Sequence, residues 1–426
     1  MRLAYFTHYF PPESNAPAAR VHELSRALVA QGHSVHVVTG KPNHPRGVLH
    51  PGYRASGYRH ELVDGIEVHR CPTFPAANRG VLLRSFGFAA LPLAQVGASL
   101  KRLPVVDCVL ATSPQILTGL AGLGFAKRRR VPFFLEVRDL WPESIVSVGA
   151  LSKTHPIVRV LERVEHYLYR SSTGVVAVAD SFVDHFCSHG VAREQIAVVK
   201  NGVDPRNFDR ALPPTNLHQQ LNLPPEARVI VFCGTIGMAH DVGLLARAVA
   251  ELGETCDPPI HVVIVGDGAD RQHVVDEVET LGVGDRVHVL SPVARGEVAG
   301  LLAGADLAAV VLRDHPTFAG VLPSKMFEAM AMATPILLGV RGEALRLLQA
   351  AECGFEFPPG DVTALAACLR RLARMPRAQL REAGDRGYAY VREHFHRGRQ
   401  ATQLARFLAE RTAAVNRPTS PVAASS

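Results

Sequence analysis

The sequence predicts an α/β protein made of two doubly wound domains in succession, each on a mostly parallel sheet, with C-terminal helices packing outside. Three observations predict it. Short apolar runs rich in β-branched residues alternate with longer segments of helical period. The alternation lapses over the Pro- and Asn-rich stretch Pro205 to Pro225 and then begins again. The runs are continuously apolar, as in strands covered on both faces, rather than alternating as in a sheet with one wet face.

In order, the first series reads as a strand at Leu3 to Phe6, a helix over Ala18 to Ala30 and a strand at Val35 to Thr39. It resumes with strands at Cys108 to Thr112, Phe133 to Val137, Gly174 to Ala179 and Ile196 to Val199, with helical segments Gln115 to Lys127 and Pro156 to Tyr169 between them. The second series places strands at Val229 to Cys233, His261 to Val265, Val287 to Leu290, Leu307 to Val311 and Pro335 to Leu338. Two helical segments, Arg377 to Glu393 and Gly398 to Arg411, have no strand after them. The expected division is 1–200, 201–385, a C-terminal helix 386–415 that returns to the first domain, and a tail 416–426 too poor in apolar residues to fold.

Composition narrows the function classes. With 47% hydrophobic and 20% charged residues, the 426-residue chain can bury a core in each domain. A net charge of +7 suits anionic substrates, an acidic membrane surface or nucleic acid. The densest basic run, Lys127 to Arg130, lacks interleaved aromatics, which argues against nucleic acid. The seven cysteines are far apart and odd in number, so neither a zinc ribbon nor a disulfide framework is expected, and reduced thiols in a cytoplasmic compartment fit. The apolar run Phe86 to Leu100 is shorter than the roughly 20 residues of a membrane span. Together with the nearby basic run it fits contact with the inner face of a membrane, although a core helix followed by a solvated basic turn is the preferred explanation.

Ligands of open α/β sheets collect beyond the carboxyl ends of the strands, so the loops there carry the candidate chemistry. The first, Thr7 to Pro17, leads into a helix whose N-terminus suits an anion. The second, Arg138-Asp139-Leu140-Trp141-Pro142-Glu143-Ser144, holds an arginine, two acids and the single tryptophan. The third, Gly234-Thr235-Ile236-Gly237, and its successor Gly266-Asp267-Gly268 let backbone approach a diphosphate. The fourth begins a helix at Pro323-Ser324-Lys325 and carries Glu328 one turn on, a cation suited to phosphate oxygens and a carboxylate suited to paired ribose hydroxyls. A surface ion pair between Lys325 and Glu328 is the alternative explanation of those two residues.

With these pieces in view, the chain resembles the retaining GT-B glycosyltransferases known as group 1 or family 4, whose fold is two Rossmann-like domains facing across a cleft. The likeness runs from Met1 to about Leu408. It rests on the Pro-rich first loop, Gly32-His33-Ser34-Val35, Asn201-Gly202-Val203-Asp204 with Phe208, Val265-Gly266-Asp267-Gly268, Ala305-Asp306, and Glu328-Ala329-Met330-Ala331 leading to Thr334-Pro335. Val137 to Ser144 and Pro323-Ser324-Lys325 are similar to the branch that builds bacterial surface polysaccharides, including N-acetyl-L-fucosamine transferases. The resemblance implies transfer from a UDP-sugar held by the C-terminal domain to a glycan or polyprenyl-linked acceptor held by the N-terminal one.

Two departures qualify the likeness. Eight positions before Glu328, where many members have a second glutamate, stands Gly320, and Thr235 follows Gly234 where many have arginine. Lys325 is therefore the expected diphosphate cation, with Asp139 and Glu143 expected to orient the acceptor. Gly234, Thr235, Gly237, Gly266, Pro323, Ser324, Lys325 and Glu328 are expected to hold the donor. No Asp-x-Asp occurs, so no metal or other cofactor is expected. A sugar-nucleotide epimerase of the same fold, or a non-catalytic binder of sugar nucleotides or membrane surfaces, would fit the same features.

Overall fold

The computed structural model describes residues 1–13, 15–44, 47–74, 80–113, 115–147, 149, 151–253 and 256–416, with side chains 80–89 and 416 left out. The expected tail beyond 416 lies outside the described residues.

The first domain is an eight-stranded sheet of β1 (Arg2–Phe6), β2 (Ser34–Thr39), β3 (Arg59–Val63), β4 (Ile66–Arg70), β5 (Cys108–Thr112), β6 (Phe133–Val137), β7 (Gly174–Ala177) and β8 (Ile196–Val198). Its order is β3-β4-β2-β1-β5-β6-β7-β8, parallel throughout except for the antiparallel β3–β4 pair. That hairpin is absent from the reading of the sequence. Its turn, Asp64-Gly65 with both φ positive, is a standard two-residue hairpin signal. The helices are α1 (Ala16–Ala30), α2 (Gly80–Arg102), α3 (Ile116–Arg129), α4 (Glu143–Ser147), α5 (Pro156–Ser171) and α6 (Phe182–Ser188). β5, β6 and β7 are buried along their whole length, which is why they read as continuous apolar runs. The one acid among them, Glu136, is fully buried, 2.8 Å from Arg20 Nη2 and accepting from Tyr5 Oη at 2.7 Å.

The second domain is a parallel six-stranded sheet ordered β11-β10-β9-β12-β13-β14, from β9 (Arg228–Cys233), β10 (Ile260–Val265), β11 (Val287–Leu290), β12 (Leu307–Val311), β13 (Ile336–Gly339) and β14 (Gly354–Glu356). Its helices are α7 (Leu217–Gln220), α8 (Gly243–Leu252), α9 (Arg271–Leu281), α10 (Arg295–Ala303), α11 (Ser324–Ala331), α12 (Glu343–Ala351), α13 (Val362–Arg374) and α14 (Arg377–His394). α15 (Arg397–Asn416) follows and packs against α1, with Ala401, Leu404 and Leu408 in one apolar cluster with Leu3, Tyr5 and Leu24 of the first domain. The chain leaves the second domain at Phe395–His396, not at 386. α14 runs unbroken through 386 because Leu380, Ala383, Gly387 and Val391 form one buried face, and α14 packs on α11.

The domains meet over a continuous apolar cluster that includes Val137 and Phe182 of the first and Phe318, Leu322 and Met330 of the second. Polar contacts flank it. Glu343 accepts from the backbone N–H groups of Asp180 and Ser181, both at 3.1 Å, and lies 3.2 Å from Lys200 Nζ. Ser181 Oγ donates to the carbonyl of Gly320 at 3.0 Å. No helix among the described residues is long and apolar enough to cross a membrane.

Candidate functional site

Between the domains lies a cavity of about 400 Å³, walled by loops that follow the strands of both sheets. Asn15, Pro17, His44, Arg138 and Asp139 come from the first domain; Gly234, Thr235, Gly266, Arg295, Pro323, Ser324, Lys325 and Glu328 come from the second. A cavity at the switch points of two open sheets is where this architecture places ligands. Of the residues expected from sequence, Gly237 and Glu143 do not line it. Gly237 sits behind Thr235, against His240, and Glu143 is exposed in the first turn of α4.

Local chemistry shapes each wall. Glu13 accepts from the backbone N–H groups of Phe10 at 3.2 Å and of Asn43 and His44 at 3.0 Å, tying the loop after β1 to the loop after β2. Burial pushes its carboxyl pKa up against those hydrogen bonds. Asn15 caps α1 by accepting from Ala18 N at 2.9 Å, with Pro17 in the first turn. On the facing wall the loops after β9 and β10 interlock: Ile236 N donates to Asp267 O at 3.0 Å, and a side chain at Gly266 would collide with the carbonyl of Gly234. The glycines there serve backbone crossing, which leaves Gly234, with its φ of 135°, lining the cavity beside Lys325.

The electrostatics are unusual for a wall that only packs. Lys325 Nζ is buried without a hydrogen-bond partner among the described residues, 3.7 Å from the centre of the Phe232 ring. Burial pulls its pKa down to about 8. The adjacent His240 is pulled down to about 3, by burial and then by Lys325, and burial pushes the Cys233 thiol up to about 12. Across the cavity, Arg138 has Nε and Nη1 buried without hydrogen-bond partners among the described residues, and burial raises the pKa of neighbouring Asp139. Arg138 already shares its charge with Glu136 and Asp139, whereas a buried ammonium without a hydrogen bond is costly unless something supplies one, so Lys325 is the position prepared for an anionic group.

Glu328 is engaged: Arg295 Nη2 lies 3.1 Å from its Oε1 and 3.1 Å from Glu23 Oε1 of α1, and Glu23 also holds Arg397 at 2.8 Å. Despite its own desolvation, Glu23 has its carboxyl pKa lowered by Arg397 and Arg295. Arg295 and Glu23 were not among the residues expected from sequence, and Arg138 stood in the second candidate loop without an assigned role. Arg295 had a usable signal, since it opens the helix after β11 at that strand's carboxyl end; Glu23, in mid-helix, had none. Gly320 is packed against the first domain, where an added Cβ would stand 2.7 Å from Ser181 Oγ and 3.3 Å from its Cβ. A side chain at this position, as in the second glutamate of the resembling family, would require Ser181 to give way and its bond to the Gly320 carbonyl to be disturbed.

Comparison with known proteins agrees with this architecture. Residues 15–202 match the family described as Glycosyl transferase 4-like domain, and residues 214–388 match Glycosyl transferases group 1. A relative from Escherichia coli K12, "Putative colanic acid biosynthesis glycosyl transferase WcaI", is 22% identical over 78% of this chain and 81% of its own length. Sucrose-phosphate synthase from Thermosynechococcus elongatus superposes with a TM-score of 0.76 at 19% identity, covering 97% of this chain and 99% of that one. Anabaena Alr3699/HepE in complex with UDP-glucose gives 0.68 at 18%, covering 96% and 100%. The fold is GT-B, and the chain, with the two matched domains end to end, belongs to the group 1 glycosyltransferases.

Proposed function

We propose that this glycosyltransferase moves a sugar from a UDP-sugar to a glycan or polyprenyl-linked glycan acceptor, with retention at the anomeric carbon, in the synthesis of a cell-surface polysaccharide. The observation that carries the donor side is Lys325, a buried cation with no hydrogen-bond partner among the described residues, beside the Gly234 and Gly266 backbone at the start of α11. A diphosphate in that corner would supply the missing counter-charge, and Lys325 would stabilise it most as the bond to the sugar breaks. Glu328, already oriented by Arg295, would accept from the ribose hydroxyls. The acceptor would approach from the Arg138 and Asp139 wall, with Asp139 orienting its hydroxyl for attack on the face the leaving group vacates.

The neighbour complexed with UDP-glucose supports the donor class, and the colanic acid relative supports the surface-polysaccharide role. No protein nucleophile and no metal enter this scheme; the counter-charge comes from Lys325 and helix N-termini. Work at the inner face of the membrane, on a lipid-linked acceptor, completes the proposal. A thermal-shift screen across UDP-, GDP- and dTDP-sugars tests the donor, since a ligand that binds only the native state stabilises it. Stabilisation by UDP compounds alone is expected; preference for GDP or dTDP would overturn the donor assignment. Product analysis with acceptor omitted separates transfer from epimerisation.

A further inference from the structure

In the first domain, Glu165 of α5 meets His185 of α6 and His189 just beyond its end. The ligand atoms of the three lie within 4.8 Å of one another. Glu165 is buried, and His185 Nε2, 3.8 Å from Glu165 Oε1, is buried without a hydrogen-bond partner among the described residues. The two imidazoles stack at 4.1 Å, one helical turn apart. Two hydrogen bonds orient these side chains as metal ligands are oriented. Tyr169 Oη donates to Glu165 Oε1 at 2.6 Å, and the His185 carbonyl, 2.7 Å from His189 Nδ1, accepts that proton and leaves the lone pair on Nε2.

We propose that Glu165, His185 and His189 bind a zinc-class divalent cation that staples α5 to α6. Two imidazoles and one carboxylate are a zinc donor set, and water would fill the fourth position. Closing the ligands onto a metal requires small rotamer shifts, which the half-buried imidazoles can make. The staple has a consequence at the cleft. α6 begins immediately after Ser181, which bonds Gly320 and Glu343 across the domain seam, and its first residue, Phe182, lines the cavity. A cation at the far end of this short helix would hold the seam residues in register. Its role is structural and separate from the transfer chemistry.

The test uses the full chain, stripped with chelator and titrated with zinc chloride by calorimetry. It is run in a Cys187→Ser background, because Cys187 is exposed and an exposed thiol binds zinc on its own. One equivalent is expected to bind, to raise the melting temperature, and to weaken at least tenfold in His185→Asn and in His189→Gln. His60→Gln, in the separate cluster with His36 and His69, is the comparison and should bind as the parent does. Cobalt(II) in place of zinc should give intense visible bands of a four-coordinate site, lost in the same two variants. Circular dichroism of the stripped variants separates lost ligands from lost fold. No uptake by the parent, uptake unchanged in both histidine variants, or uptake that falls only in His60→Gln would overturn the assignment.

Discussion

Arg295 holds Glu328 and Glu23 with the same nitrogen, Nη2, at 3.1 Å from each, so one guanidinium joins the proposed ribose-binding carboxylate of the second domain to α1 of the first. The pair sets the orientation of Glu328 before any ligand arrives. Replacing Glu328 with Gln is expected to weaken UDP binding by about 1.5–3 kcal/mol, the range for a hydrogen bond to a charged group. Arg295→Ala should weaken UDP as well and also lower the melting temperature, because it leaves part of the Glu23 charge uncompensated. Calorimetry with UDP on both variants checks this; unchanged affinity in Glu328→Gln removes the ribose role.

Lys325 makes donor binding depend on pH. With its pKa near 8 in the free protein, it is charged below that pH, and diphosphate binding holds its proton to higher pH. UDP affinity should therefore be level below about pH 8 and fall above it, by up to about tenfold per unit. Lys325→Ala should flatten the profile and reduce turnover more than it reduces uridine binding. Equal losses for uridine and UDP would mean that Lys325 only packs.

The same shift has a stability consequence with a definite sign. The folded pKa lies below that of an unfolded lysine, about 10.4, so between these values the unfolded chain binds the proton that the folded chain has released. This group's contribution makes the fold more stable as pH rises through that window, and its penalty is fully present below about pH 8. Lys325→Met removes the penalty and should raise the melting temperature at pH 7 while weakening UDP. Thermal melts of both proteins at pH 7 and pH 9 measure it, and a destabilised Lys325→Met at pH 7 contradicts an uncompensated charge.

Asp139→Asn and Arg138→Ala are expected to leave UDP affinity within about 0.5 kcal/mol while sharply reducing transfer, because they stand on the wall opposite Lys325. Glu143→Gln, in the same loop but exposed, is the comparison. Turnover, UDP affinity and melting temperature on the three variants separate acceptor contact from loop stability. Loss of UDP binding at normal stability would move this loop to the donor side.

Glu343→Gln tests the seam. An amide keeps one acceptor for the Asp180 and Ser181 N–H groups but loses the charge that faces Lys200. A loss of about 1–3 kcal/mol in stability is expected, with a larger radius of gyration in solution scattering. A variant as compact and stable as the parent would show that the apolar cluster alone closes the domains.

Transfer should persist in EDTA, since the proposed clamp on the departing diphosphate is a lysine and helix backbone. Abolition by chelator with rescue by magnesium or manganese would replace that clamp with a metal.

Apart from the β3–β4 hairpin and the edge strand β14, the sequence by itself determined the succession of the central strands in both domains and the loops that form the cleft. Those are local properties: period, β-branched runs and breaker residues act within a few neighbours, so Cys108 to Thr112, Phe133 to Val137 and Leu307 to Val311 are strands with the bounds their apolar runs suggest. What only the tertiary structure decided is which side chains of those loops see the cavity. Asp139 does and Glu143 does not, because α4 begins at Glu143 and leaves it exposed. Arg295 and Glu23, 272 positions apart, meet only because two separately built domains pack against one another. The break at Phe395–His396, the close approach of Ser181 to Gly320, and the burial of the Lys325 ammonium are likewise products of packing between distant segments, and no local pattern carries them.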